Sequence, residues 1–152
     1  MNAKITAVAL AMAGLALAPS VDAAQVTSDF QVKLIVQPSC KFNTDSIGDL
    51  NLGSHATNAT NVEGTTEVRV QCTKGSVATV KLVSTDWKLK DTAGDAISYR
   101  LYGSDNQEWN NINGRSYTGG GAEQLFQIKG KVDNVGDKSG TFQDTVTVSV
   151  EF

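Results

Sequence analysis

Apolar and polar residues alternate at a period of two along several short stretches of this chain, and no sustained helical period follows residue 23. Successive side chains of an extended strand point to opposite faces, so runs of this kind bury one face only in a sheet. "TTEVRVQC" sets Val68, Val70 and Cys72 inward against Glu67, Arg69 and Gln71. "DTVTVSVEF" does the same for Val146, Val148, Val150 and Phe152. "FQVKLIV" aligns Phe30, Val32, Leu34 and Val36, although Ile35 breaks its polar side. "AISYRLYG" groups Ile97, Tyr99 and Leu101, and "EQLFQIKGKV" groups Phe126, Ile128 and Val132 with Gly130 on the same face. "SVATVKLV" follows the turn Lys74-Gly75, and "IGDLNLGS" is a weaker strand. Turn signals lie at "DTAGD", "TGGG" and "DNVGDKSG". About seven strands at this spacing predict an all-β domain, an immunoglobulin-like β-sandwich, with a barrel as the architectural alternative.

The first 23 residues read differently. Lys4 gives a positive start, and Val21-Asp22-Ala23 fits a small-residue cleavage site. Between them Ile5 to Ala18 is apolar but too short to stay in a bilayer as a spanning helix. That is the pattern of a secretory signal peptide, and no permanent membrane span is expected elsewhere. The remaining length suits one domain. Net charge is −3, and Lys4 and Asp22 cancel, so the mature part keeps that balance. Nucleic acid as a partner calls for a clustered basic face, which this sequence lacks. Export places Cys40 and Cys72 in an oxidising compartment, where one disulfide is the economical reading. Closing that loop stabilises by roughly 3–4 kcal/mol.

Residues that carry chemistry are sparse. The single histidine, His55, lies in the polar loop "GSHATNATN" and reads as solvated rather than as a triad member. "DTAGD" and "DNVGD" lack the alternating ligands and closing glutamate of a calcium loop and read as hairpin turns. "TGGGAE" leads into a strand, where a phosphate-binding loop needs a helix start or a lysine. No acid cluster sits on a strand end in aromatic company. The chain is expected to be neither an enzyme nor a holder of a metal or cofactor. Trp87 and Trp109 are candidate surface platforms for sugar binding, with core packing as the ordinary reading of such rings.

The regular apolar face before Cys40 suits either an edge strand of its own domain or a strand destined for another molecule. Periodicity cannot separate the two. A resemblance does. In order, the chain carries "FQVKLIVQPSC", "VEGTTEVRVQCTKGSVATVKL", "ISYRLYGSDNQEWNN", "LFQIKGKV" and "SGTFQDTVTVSVEF". The Tyr-x-Leu-Tyr segment (Tyr99, Leu101, Tyr102) and the closing Gly140, Thr141, Phe142, Asp144 and Thr145 are the most specific pieces. Together these resemble the spore coat protein U domain family, specifically the Csu-type pilus subunits of the archaic chaperone–usher class. "LFQIKGKV" departs from the pattern, since members more often show an apolar strand there.

The resemblance implies an incomplete immunoglobulin-like β-sandwich, open along a groove where one strand is missing. It implies three segments: a signal peptide (1–23), an N-terminal donor strand (24–38) and the β-sandwich domain (39–152). A periplasmic chaperone fills the groove and pairs with the C-terminal strand of Val146, Val148, Val150 and Phe152, whose carboxylate serves as a handle. At the outer-membrane usher, the donor strand of the next identical or related pilin subunit replaces the chaperone. The donor face is Val26, Ser28, Phe30, Val32, Leu34 and Val36, with Phe30, Val32 and Leu34 as anchors worth roughly 1.5–3 kcal/mol each when buried. Ser28 would meet a shallow pocket. The implied role is structural, in a surface pilus that supports adhesion and biofilm formation. The competing readings are a self-contained secreted coat or carbohydrate-binding β-sandwich and a tip adhesin. Length disfavours the last.

Overall fold

A computed structural model describes residues 24–43 and 47–152. The expected signal peptide lies outside the described residues. The chain divides into two compact units, Met1–Ile35 and Val36–Phe152. In the first unit, residues 24–35 form no strand. Their apolar side chains are exposed, with Phe30 at 86%, Val32 at 85% and Leu34 at 86%. The alternation in "FQVKLIV" is therefore present without a sheet to express it.

In the second unit the described residues form nine strands. They are β1 (Cys40–Phe42), β2 (Thr60–Cys72), β3 (Val77–Val83), β4 (Lys88–Lys90) and β5 (Ala96–Ser98). Then come β6 (Arg100–Gly103), β7 (Arg115–Thr118), β8 (Glu123–Asn134) and β9 (Thr147–Glu151). A four-stranded sheet has the order β1-β2-β8-β6, a three-stranded sheet the order β7-β3-β9, and β4 and β5 form a short pair. Every pairing is antiparallel. Inward faces of both main sheets supply one core, including Val68, Val70, Val80, Leu82, Ile128 and Val132. This is the sandwich that the alternation predicts.

The long strands follow their patterns. Val62, Val68, Val70 and Cys72 of β2 are buried. So are Ala78, Val80 and Leu82 of β3. The Cys40–Cys72 disulfide joins directly opposed residues of β1 and β2, with Cα atoms 4.1 Å apart. "AISYRLYG" does not form one strand. It divides at Tyr99, because β5 pairs with β4 while β6 pairs with β8. Strands β1, β4 and β7, of three or four residues, are too short for a period to show.

"IGDLNLGS" forms no strand at all, although its side chains alternate as a strand's would. Leu50 and Leu52 are half-buried, and Asp49 and Asn51 are exposed. Two facing glycines hold the segment in place. Gly64 of β2 and Gly130 of β8 are directly opposed. A Cβ at Gly130 would lie 2.7 Å from Leu50 Cδ2, and one at Gly64 would lie 2.5 Å from the Asn51 carbonyl oxygen. The absent side chains make the seat for Leu50. Gly64→Ala is expected to lower stability by about 1–3 kcal/mol, because the obstacle is backbone that must shift. Gly120→Ala, where a Cβ meets nothing within 4 Å, should leave the urea midpoint unchanged. Equal midpoints for both variants would mean that the segment is not seated there.

Candidate functional site

β9 is an edge strand. It pairs with β3 from Thr79↔Glu151 to Val83↔Thr147, and its other edge has no strand partner among the described residues. Beside it the sandwich opens into a groove of about 930 Å³. The floor is apolar, built from Val68, Leu82, Leu101, Ile128 and Val132. Residues 47–57 line the groove as a near rim, and residues 138–146 with Val148 form the far rim. Such an opening in the core of a sandwich leaves apolar surface and backbone groups without partners.

Both rims have the alternation of strands and lack a ladder. In the near rim Leu50 and Leu52 turn in. In the far rim Phe142, Asp144 and Val146 are half-buried, and Thr141, Gln143 and Thr145 are exposed. Far-rim backbone pairing with Lys90 involves only Gln143, through mutual bonds of 2.9 and 3.0 Å. Side chains do the holding instead. Thr66 Oγ1 donates to the Gly48 carbonyl at 2.7 Å, and His55 Nε2 donates to the Leu52 carbonyl at 2.6 Å. On the far rim, Asp144 accepts hydrogen bonds from the Tyr99 hydroxyl (2.5 Å) and the Ser84 hydroxyl (2.6 Å).

Burial raises the Asp144 carboxyl, but the bonds from Ser84, Tyr99 and the Thr145 N–H, with Lys90 nearby, outweigh it and leave it below the ordinary carboxylate value. Tyr99 is pushed well above the ordinary phenol value, first by burial and then by donating to Asp144. The Asp144 shift has a definite sign in stability. Its contribution is complete above the ordinary carboxylate pKa and is lost as pH falls through the lower folded value.

The expected site residues fall into three groups. Val26, Ser28, Phe30, Val32, Leu34 and Val36 lie exposed in a stretch without a strand. Val146 and Val148 line the groove, and Val150 packs against the core opposite Val80. Phe152 corrects the inward expectation: it lies beyond the last paired residue, Glu151, and is 61% exposed. Of the two tryptophans, Trp109 follows the ordinary core-packing reading and not the surface-platform one. Trp109 is 1% exposed, because its indole N–H finds the Val80 carbonyl at 2.9 Å and Arg115 covers its ring. Trp87 is half-buried against Tyr99. Among the described residues, no group of three acidic, histidine or cysteine side chains is placed to hold a metal ion. Leu50, Thr66 and Ser84 belong to the site and escape sequence reasoning. Only the leucine alternation of "DLNL" offered a signal.

The arrangement can accept one extended segment whose apolar side chains point down into the groove. In thermal melts, the stability difference between the wild type and Asp144→Asn should be full near neutral pH and shrink as the pH drops below the carboxylate range. A difference that stays constant into strong acid would contradict the assigned role of the carboxylate.

Comparison with known proteins bears on what that segment is. The family model for the Spore Coat Protein U domain matches residues 26–149. No curated protein matches. A similar fold occurs in the crystal structure of the CsuC–CsuE chaperone–tip adhesion subunit pre-assembly complex, from the archaic chaperone–usher Csu pili of Acinetobacter baumannii. The TM-score is 0.57 at 23% identity, covering 77% of this chain and 40% of that one. The chain thus spans well under half the length of the structure it matches.

Proposed function

Because the chain belongs to the Spore Coat Protein U domain family, whose members are structural proteins and not enzymes, we propose that it is a subunit of a surface pilus built by donor-strand exchange. The N-terminal segment of one copy, residues 24–38, lies in the groove of the next. There it adds a strand between β9 and the near rim. The observation that carries this reading is the pair of strand-like rims with no strand between them among the described residues, in a chain that also carries an exposed, alternating apolar segment. One extended insertion meets the needs of both rims, with the ladder giving affinity and alternate side chains giving register.

Phe30, Val32 and Leu34 are the anchors, with Val26, Ser28 and Val36 continuing the face. The contact joins two different surfaces and does not close on itself, so it propagates as a fibre. Before assembly the open groove needs a temporary occupant. A periplasmic chaperone fills that role and hands the subunit to an outer-membrane usher. The route of export runs through the periplasm to the cell surface, where the polymer supports adhesion and biofilm formation. Val32→Asp should leave export intact and abolish long fibres, because a carboxylate in the apolar groove costs several kcal/mol. Electron micrographs of cells carrying that variant decide the matter: fibres of wild-type length would refute the donor assignment.

A further inference from the structure

The two most distinctive stretches of the sequence meet in one hydrogen bond. Tyr99 begins the Tyr-x-Leu-Tyr segment, and Asp144 lies in the Gly-Thr-Phe-x-Asp-Thr stretch that leads into β9. Their side chains are joined at 2.5 Å across a separation of 45 residues. The same carboxylate oxygen accepts from Ser84 Oγ at 2.6 Å, and the other takes the Thr145 N–H at 2.8 Å. Along the inward row Phe142, Asp144, Val146 and Val148, Asp144 is the polar exception. An apolar residue would suit the groove wall better, so the carboxylate calls for a separate explanation.

The surroundings of this bond are tightly determined. Ser84 Oγ also accepts the Trp87 N–H at 3.1 Å, and the Trp87 carbonyl accepts the Tyr99 N–H at 3.2 Å. The Trp87 and Tyr99 rings pack with centroids 5.9 Å apart. Trp87 has a φ of 58°, an outlier for a bulky side chain, which persists only where its neighbours fix it. Ser84, Trp87, Tyr99 and Asp144 therefore form one closed set of contacts. That set ties the far rim to the end of β3 and to the β5–β6 corner.

We propose that Asp144 is a positioning residue, clamped by Tyr99 and Ser84 so that the far rim is extended and ready before a donor strand arrives. The inference rests on the donor-strand reading above. Side-chain bonds here stand in for the ladder that the donor will later supply, so the ordering cost of the rim is met before docking. Losing the clamp lowers the population of the ready rim. The effect falls on capture and not on release.

The test uses the full mature chain, refolded at a dilution that keeps it monomeric, and a fluorescent synthetic peptide of residues 24–38 in excess, followed by anisotropy. Asp144→Asn and Tyr99→Phe should each slow association by about tenfold or more, the scale of one charge-assisted hydrogen bond. Dissociation should change by less than about twofold, and the double variant should be no slower than the worse single one. Hydrogen exchange at residues 141–146 should quicken while β2 and β8 keep their protection, a pattern that general destabilisation does not give. Ser84→Ala, the mildest change, should give the same pattern at smaller size. Association at the wild-type rate in the variants overturns the positioning role and leaves the donor-strand reading standing. So does slowing that appears only together with lost protection throughout β2 and β8. Failure of the wild-type chain to capture the peptide overturns the donor-strand reading, and this inference with it.

Discussion

A strand needs a neighbour on each side or water in its place, and among the described residues the far rim and β9 have a neighbour on one side only. The rest of the second unit is arranged around that deficit. β9 is tied to the sandwich by β3, its inward valines are half-buried, and the floor beside it is apolar. An ordinary sandwich closes such a gap with one more strand of its own. Here the gap is kept open between two segments that already have the extended, alternating form of strands.

Keeping a groove open is costly, and the molecule shows how the cost is contained. The disulfide ties β1 to β2, and the Trp109 indole reaches from the β6 side of the sandwich to the Val80 carbonyl of the three-stranded sheet. The near rim rests with Leu50 on the facing glycines of β2 and β8 and is hydrogen-bonded by Thr66. Asp144 secures the far rim. The first two devices brace the sandwich and the last two fix the rims, without a strand in the groove. Under the donor-strand proposal, preorganisation of this kind favours rapid pairing with an incoming strand over collapse of the rims onto each other.

The sequence showed the long strands plainly, since Val68, Val70 and Cys72 or Ala78, Val80 and Leu82 bury one face at a period of two. It could not show which sheet a strand joins. That is why "AISYRLYG" read as one strand when Tyr99 is a corner between two pairings, and why "IGDLNLGS" read as a strand when its ladder is missing. The side chains that hold the rims were hidden for a different reason. Thr66 and Ser84 act through partners 18 and 60 residues away in sequence, Gly64 makes its seat together with Gly130 across the sheet, and no local pattern marks them. Trp109 read as a packed ring by default, with a surface platform as the alternative, and nothing in its neighbourhood announced the Val80 carbonyl that its indole meets. Asp144 was visible only as part of a family motif, and its role becomes clear from the two hydroxyls placed against it.

Donor-strand exchange, as proposed, has one copy complete the next through its N-terminal segment. The most direct measurement is an unheated denaturing gel of material sheared from the cell surface, comparing the mature chain with a version lacking residues 24–36. Donor-strand exchange predicts a heat-sensitive ladder of oligomers from the mature chain and none from the shortened one. A single monomer band from both, or a ladder that survives the deletion, would contradict it.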